Sequence, residues 1–346
     1  MRIAHVHGLL MLSAVTLVGA GCQNSSKEAP PAPSAAPAKP SAAAPTAAQT
    51  QAAPAAPAPP ETKAGDTSHA TKKLGKPRAK LAGKTLKVEA CGLGEHLGNA
   101  HMRKAHVDGN GAAYIFTDDS TARQVVPTET GCGLAAGAVI RGNPMALTAD
   151  GVVVTTDAPK GDCMTTSFHP SFWKGTFLGN NAYLEDGGKL VVETLGEGGC
   201  KVAPFKGEKP GGRIASLAAT DQHLLMFAFR GSGNDENAVW RFKHDGTLVD
   251  KIGLKGDKTL LGWAENVTPC GDGVCVDSLD SKQVFVFDAK GAHVATHKLA
   301  DVPGGEKLKR LVDIFEIPGH GVYVLAQMKD GANGRDILRL DGMYTK

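Results

Sequence analysis

Seven cysteines and three evenly spaced histidines are the residues of this 346-residue chain best suited to chemistry. Six of the cysteines, Cys91, Cys132, Cys163, Cys200, Cys270 and Cys275, follow residue 90, an even number that suits disulfides in an oxidising compartment. Neither Cys-x-x-Cys nor Cys-x-x-Cys-His occurs, which argues against zinc-ribbon, thioredoxin-type and attached-haem chemistry. His96, His101 and His106 step by five. On a helix that step turns each ring by about 140°, and on a strand it alternates faces, so three rings do not meet at one metal. They are expected to be exposed loop histidines, with no metal held. Asp108-Gly-Asn-Gly111 and Gly271-Asp-Gly273 contain fragments of a calcium loop, but the closing Glu is missing and both fit tight hairpin turns. Gly-x-Ser-x-Gly, His-Glu-x-x-His and the phosphate-cradling Gly-x-x-x-x-Gly-Lys are absent, so the common hydrolase and nucleotide signatures fail and no cofactor is implied.

Cys22 stands apart from the other six. Before it lie Arg2, a short apolar core over residues 8–18 and the small residues Gly19, Ala20 and Gly21. Such an order reads as a secretion signal over residues 1–21, its core too short for a permanent bilayer span. The segment Gly19-Ala-Gly-Cys22 resembles the lipobox of bacterial lipoprotein precursors. That resemblance implies diacylglycerol and further acyl (palmitate) chains on Cys22, which becomes the mature N-terminus. Gly19 stands where the family usually has Leu, and Val18 with Ala20 also fits an ordinary signal peptidase. Lipidation of Cys22 leaves an even cysteine count, whereas ordinary cleavage leaves a free thiol on an exported chain. Gln23 rather than Asp after the Cys implies, by the same resemblance, sorting to the outer membrane, facing the periplasm or the surface.

Residues 22–84 are dominated by Ala and Pro, with Pro30, Pro31, Pro33, Pro37 and Pro40 beginning a series that denies Ala its helix. This composition predicts a disordered tether, reaching roughly 180 Å fully extended or about 40 Å as a coil. Its end is basic, with Lys72, Lys73, Lys76, Arg78, Lys80, Lys84 and then Lys87, a run suited to an anionic envelope polymer or to solvent. A net charge of only +3 argues against nucleic acid as a partner.

The globular part, residues 85–346, is long enough for one all-β domain. Six short apolar runs each follow a turn: Ala112–Phe116, Val152–Val154, Ala182–Leu184, Leu224–Phe229, Val274–Val276 and Val322–Ala326. Their starts advance by about forty residues, the period of a four-stranded propeller blade. Second strands follow at Ala238–Phe242, Gln283–Phe287 and Ile337–Leu340, with the alternation that a strand requires. The unit Gly273–Gly291 resembles the hairpin of NHL-like six-bladed β-propellers, which implies a ring of about six blades. A β-sandwich or β-solenoid is the other architecture of this pattern. In a ring the ends must meet, and Thr85–Ala90 is placed to complete the last blade beside Ile337–Leu340.

Cys91 and Cys132 share the context Cys-Gly-Leu on neighbouring units, so Cys91 is expected to pair with Cys132 and Cys163 with Cys200, although six cysteines allow fifteen connectivities. Cys270 and Cys275 are expected opposite each other across a hairpin. Phe168, Phe172, Trp173 and Phe177 form the densest aromatic cluster, suited to a partner surface or to packing between blades. Lactonases of propeller shape use scattered Glu, Asn and Asp around a central metal. Asn181, Asn234, Asp235, Glu236 and Asn266 are the types that would serve such an alternative, a metal-dependent hydrolase. The principal expectation is a lipid-anchored envelope protein whose propeller is a non-catalytic binding or scaffolding module.

Overall fold

The computed structural model describes residue 80 and residues 86–344, except 99–100, 109–110, 142–144, 149–150, 155–173, 179–180, 187, 197–198, 209, 230–236, 256–257, 263, 279–280 and 330–333. The signal segment, Cys22, the tether apart from Lys80, and Cys163, Phe168, Phe172 and Trp173 lie outside the described residues.

The apolar runs become strands, and turn residues set their order. The first blade is an antiparallel meander of β2 (Met102–Val107), β3 (Ala113–Thr117), β4 (Thr121–Pro127) and β5 (Leu134–Arg141). A hairpin of β6 (Met145–Thr148) and β7 (Gly151–Val154) follows. The second blade comprises β8 (Gly175–Leu178), β9 (Asn181–Asp186), β10 (Lys189–Gly196) and β11 (Gly199–Pro204). In the third are β12 (Arg213–Ala219), β13 (Leu224–Phe229), β14 (Ala238–Phe242) and β15 (Leu248–Ile252), with a small hairpin of β16 (Leu254–Lys255) and β17 (Lys258–Thr259) after it. The fourth contains β18 (Ala264–Cys270), β19 (Gly273–Ser278), β20 (Gln283–Phe287) and β21 (His293–Lys298). In the fifth, β22 (Leu308–Ile317), β23 (Gly321–Met328) and β24 (Arg335–Asp341) are joined by β1 (Lys87–Ala90).

Each of the six runs forms the second strand of its unit, and in the four-stranded blades neighbouring sheets cover both of its faces. Strands β3 and β19 are buried at every position, and β23 at all but its end. Apolar cores therefore lie between blades. Phe227 and Val239 of the third blade pack with Val276 and Phe285 of the fourth, and Ile115 and Val125 of the first pack with Phe315 and Leu325 of the fifth. The fourth strands β11 and β21 lie at the rim and expose most of their residues.

Among the described residues the ring has five four-stranded blades, not six. The sixth unit, around Val152, supplies only the β6–β7 hairpin, with no third or fourth strand described after it. Leu147 and Val154 of that hairpin are nevertheless buried between blades, sharing a core with Tyr114, Phe116 and Ile140 of the first and Ala182 and Leu184 of the second.

The first and last described strands close the ring. Strand β1 pairs antiparallel with β24, with Val88 opposite Leu340 and Ala90 opposite Leu338, as the Thr85–Ala90 segment predicts. The backbone N–H groups of Gly92 and Leu93 then donate to the two carboxylate oxygens of Asp336, at 3.0 and 2.9 Å. Cys91, next along, is bonded to Cys132 in the β4–β5 turn of the first blade. This bond joins the last-completed strand of the fifth blade to the first blade across the closure.

Cys270 and Cys275 are also bonded, but diagonally rather than face to face: Cys270 pairs with Gly273 across the turn and Cys275 with Thr268. Cys200 is disulfide-bonded, and its expected partner Cys163 is outside the described residues. The Asp108 segment is a turn: Asp108 accepts the Ala112 N–H on its carboxylate, and Gly111 has φ +80°, a conformation natural to glycine. No helix of the described residues is long and apolar enough to cross a membrane.

Candidate functional site

The innermost strands of the blades, β2, β8, β12, β18 and β22, surround the centre of the ring, and one irregularity recurs along them. A bulge sets an extra residue into β2 at Arg103, into β12 at Ala215, into β18 at Glu265 and into β22 at Val312. A bulge breaks the alternation of a strand and re-aims side chains. All four bulged residues line one cavity of about 370 Å³. Each blade contributes to it: Lys104 from β2, Lys174 next to β8, Arg213 from β12, Asn266 from β18 and Arg310 from β22.

The residue after three of the four bulges bonds to the next blade. Ser216 accepts the Val267 N–H at 3.3 Å, Asn266 donates to the Val312 carbonyl at 3.3 Å, and Asp313 accepts the Ala105 N–H at 2.8 Å. Lys174 does the same from the second blade, donating to the Ile214 carbonyl at 3.2 Å. Ser216 and Asp313 thus stitch inner strand to inner strand while their bulged neighbours face the cavity, and Asn266 and Lys174 do both. Ser216→Ala leaves the Val267 N–H buried without this acceptor, at a cost on the order of 1–2 kcal/mol. The urea midpoint should fall with an unchanged slope, and an unmoved midpoint would remove the stitch from the account.

The cavity is cationic. Arg103, Lys104, Lys174, Arg213, Arg310 and Arg335 line it, against Glu265 as the one carboxylate among the described lining residues. Some of this charge is already engaged: Arg103 lies 3.7 Å from Asp118, Lys174 3.8 Å from Glu185, and Arg335 donates to the Gly98 carbonyl at 3.0 Å. Burial holds the Lys174 ammonium below the usual lysine range; Glu185 opposes this, and the nearby cations Arg213 and Lys104 add to it. Behind the wall lie two fully buried carboxylates. Burial, reinforced by Asp313, pushes Asp277 up to about 8, against the bonds it accepts from the Asn266 backbone and side-chain amides at 2.9, 3.1 and 3.2 Å. Asp313 is raised by burial too, opposed by Lys104.

The sequence-expected residues are dispersed. His96 lies in the short helix α1 (Gly94–Leu97) and meets the Gln124 carbonyl, and His101 lines the cavity beside Arg335. His106 is buried in β2 against Phe116 rather than exposed in a loop, because β2 is an inner strand covered by its neighbours. Among the described residues no three His, Cys, Asp or Glu side chains gather as for a metal ion. Of the five residues suited to a central metal, Asn266 lines the cavity, with its amide bonded to Asp277 and Val312. Asn181 accepts from Thr194 within the second blade, and Asn234, Asp235 and Glu236 lie outside the described residues. Phe177 packs between blades in the core of Tyr114 and Leu184.

No protein-family model matches the chain, and no curated protein matches it. Among solved structures it is similar to glutaminyl cyclase from Myxococcus xanthus, at 15% identity and TM-score 0.37 over 75% of this chain and 95% of that one. A structural-genomics protein from Bacteroides thetaiotaomicron aligns at 14% identity and TM-score 0.45, over 70% of this chain and 69% of that one. The WD40 β-propeller domain of Doa1 aligns at 11% identity and TM-score 0.37, over 77% and 99%. These likenesses assign no activity and no residue role to this chain.

Proposed function

We propose that this is an exported, lipid-anchored envelope protein whose propeller is a non-catalytic binding or scaffolding module. The observation that carries the binding reading is the convergence of one polar or charged side chain from every blade on a single cavity in a frame closed by β1 and a disulfide. Bonds between blades hold two of those side chains, Lys174 and Asn266, in place, which limits the ordering cost of a ligand there. Disulfides support an extracytoplasmic address. The signal-like segment ending at Cys22 supports the anchor, Gln23 the outer membrane, and the basic end of the tether a further contact with an anionic envelope polymer.

The alternative, a metal-dependent hydrolase of propeller shape, draws less support, because a divalent cation needs anionic or neutral ligands and this cavity presents an excess of ammonium and guanidinium groups. The anchored reading is tested by cross-linking in intact cells followed by mass spectrometry, native chain against Cys22→Ser. The native protein should fractionate with membranes and capture an envelope partner that the variant, released from the membrane, does not. Equal membrane association of the two forms sinks the anchor.

A further inference from the structure

We infer that the cavity at the centre of the ring binds a compact, multiply charged oxyanion with an adjoining hydroxyl, the chemistry of a sugar phosphate. This deepens the binding-module reading and rests on it. Charge argues first. Four blades send Lys104, Lys174, Arg213 and Arg310 to the same space. Lys104 has the buried Asp313 as a charge neighbour behind the wall, but the cavity itself is lined by six Lys and Arg side chains against Glu265, so cations outnumber carboxylates there. An oxyanion relieves that imbalance, and the guanidinium forks suit the paired oxygens of a phosphate.

Size argues second. About 370 Å³ matches a small-molecule site and is far too small for a folded partner. Composition argues third. Glu265 is a poor neighbour for a bare phosphate, but its carboxylate accepts a hydroxyl, and it stands on a bulge that aims it into the cavity. A ligand with charge at one end and hydroxyls at the other uses both.

The test is calorimetric titration of the full chain in detergent, at low ionic strength, with pyrophosphate, glucose 6-phosphate and glucose. Saturable one-to-one binding of both phosphates, weakened by added salt, and none of glucose is expected. Arg310→Met should weaken both phosphates about tenfold or more. Lys251→Met, which removes a cation stacked on Trp240 in the third blade, should leave them unchanged. Glu265→Gln should tighten pyrophosphate and lower the preference for glucose 6-phosphate. Absence of saturable phosphate binding overturns the inference, as does an equal loss in Lys251→Met. An unaltered preference in Glu265→Gln overturns the role of the hydroxyl. A captured envelope partner with no phosphate binding leaves the binding-module reading standing and this inference refuted.

Discussion

A chain carrying Cys91→Ser together with Cys132→Ser unfolds with about 4 kcal/mol less free energy than the native chain, whereas Cys270→Ser with Cys275→Ser removes about 2 kcal/mol. The difference follows from loop length. The first bond closes 41 residues and the second only 5, and the entropy removed from the unfolded chain grows with the logarithm of that number. Position adds to length. Cys91 follows directly on β1, whose only strand partner among the described residues is β24, so losing this bond also loosens the closure of the ring. Cys270 and Cys275 lie on adjacent, already paired strands. Guanidinium unfolding of the two double variants of the full chain, followed by tryptophan fluorescence, measures both losses. Equal losses, or the larger one at the hairpin, would contradict this account.

Stability should fall as pH rises from about 4 to about 8. Asp277 in the folded protein is raised to about 8, far above the roughly 3.9 of an unfolded aspartate, so across that window the folded state keeps a proton that the unfolded state releases. Its contribution is complete below the unfolded value and is lost as pH passes through the folded one. A single such proton gives a slope of up to about 1.4 kcal/mol per pH unit, to which Asp313, raised for the same reason, adds. His223 and His297, both lowered by burial, tilt the profile the other way near neutrality. Asp277→Asn separates the two effects. Near pH 5 the variant should be about 1 kcal/mol less stable than the native chain, because its amide meets the Asn266 amide donor to donor. Near pH 8 it should be the more stable form, since it has no charge to bury. Stability curves that run parallel instead of crossing would show that Asp277 is ionised in the fold.

The parts of this fold legible in the sequence are those buried on both faces. Runs such as Leu224–Phe229 and Val322–Ala326 are continuous because every side chain meets an adjacent blade, and their spacing carries the ring architecture. The closing strand was legible from the need of a ring to meet itself, and the Cys91–Cys132 pair from a repeated Cys-Gly-Leu. The blade count was not, because the run at Val152 has the signature of a second strand whether or not two more strands follow. Neither was the cavity. Arg103, Glu265 and Val312 face it through bulges, which break the period of two on which a strand is read, and its cations come singly from distant segments. A charged or amide residue on the strand ahead of each apolar run was the available signal. Conversely, the even spacing of His96, His101 and His106 spans a helix, a loop and a strand and has no common purpose in the fold.

The outermost strand of the last blade is the first piece of the domain to be made. When β1 emerges its partner β24 is still some 250 residues away in the chain, so it begins as an open edge in search of a neighbour. Cys132 arrives long before β24 does. Once the first blade has formed, the bond to Cys91 can hold β1 at the correct place, so that the final blade docks onto a waiting template instead of capturing a loose strand. Oxidation would then precede ring closure and decide how quickly, and with how few misassembled forms, the propeller is completed.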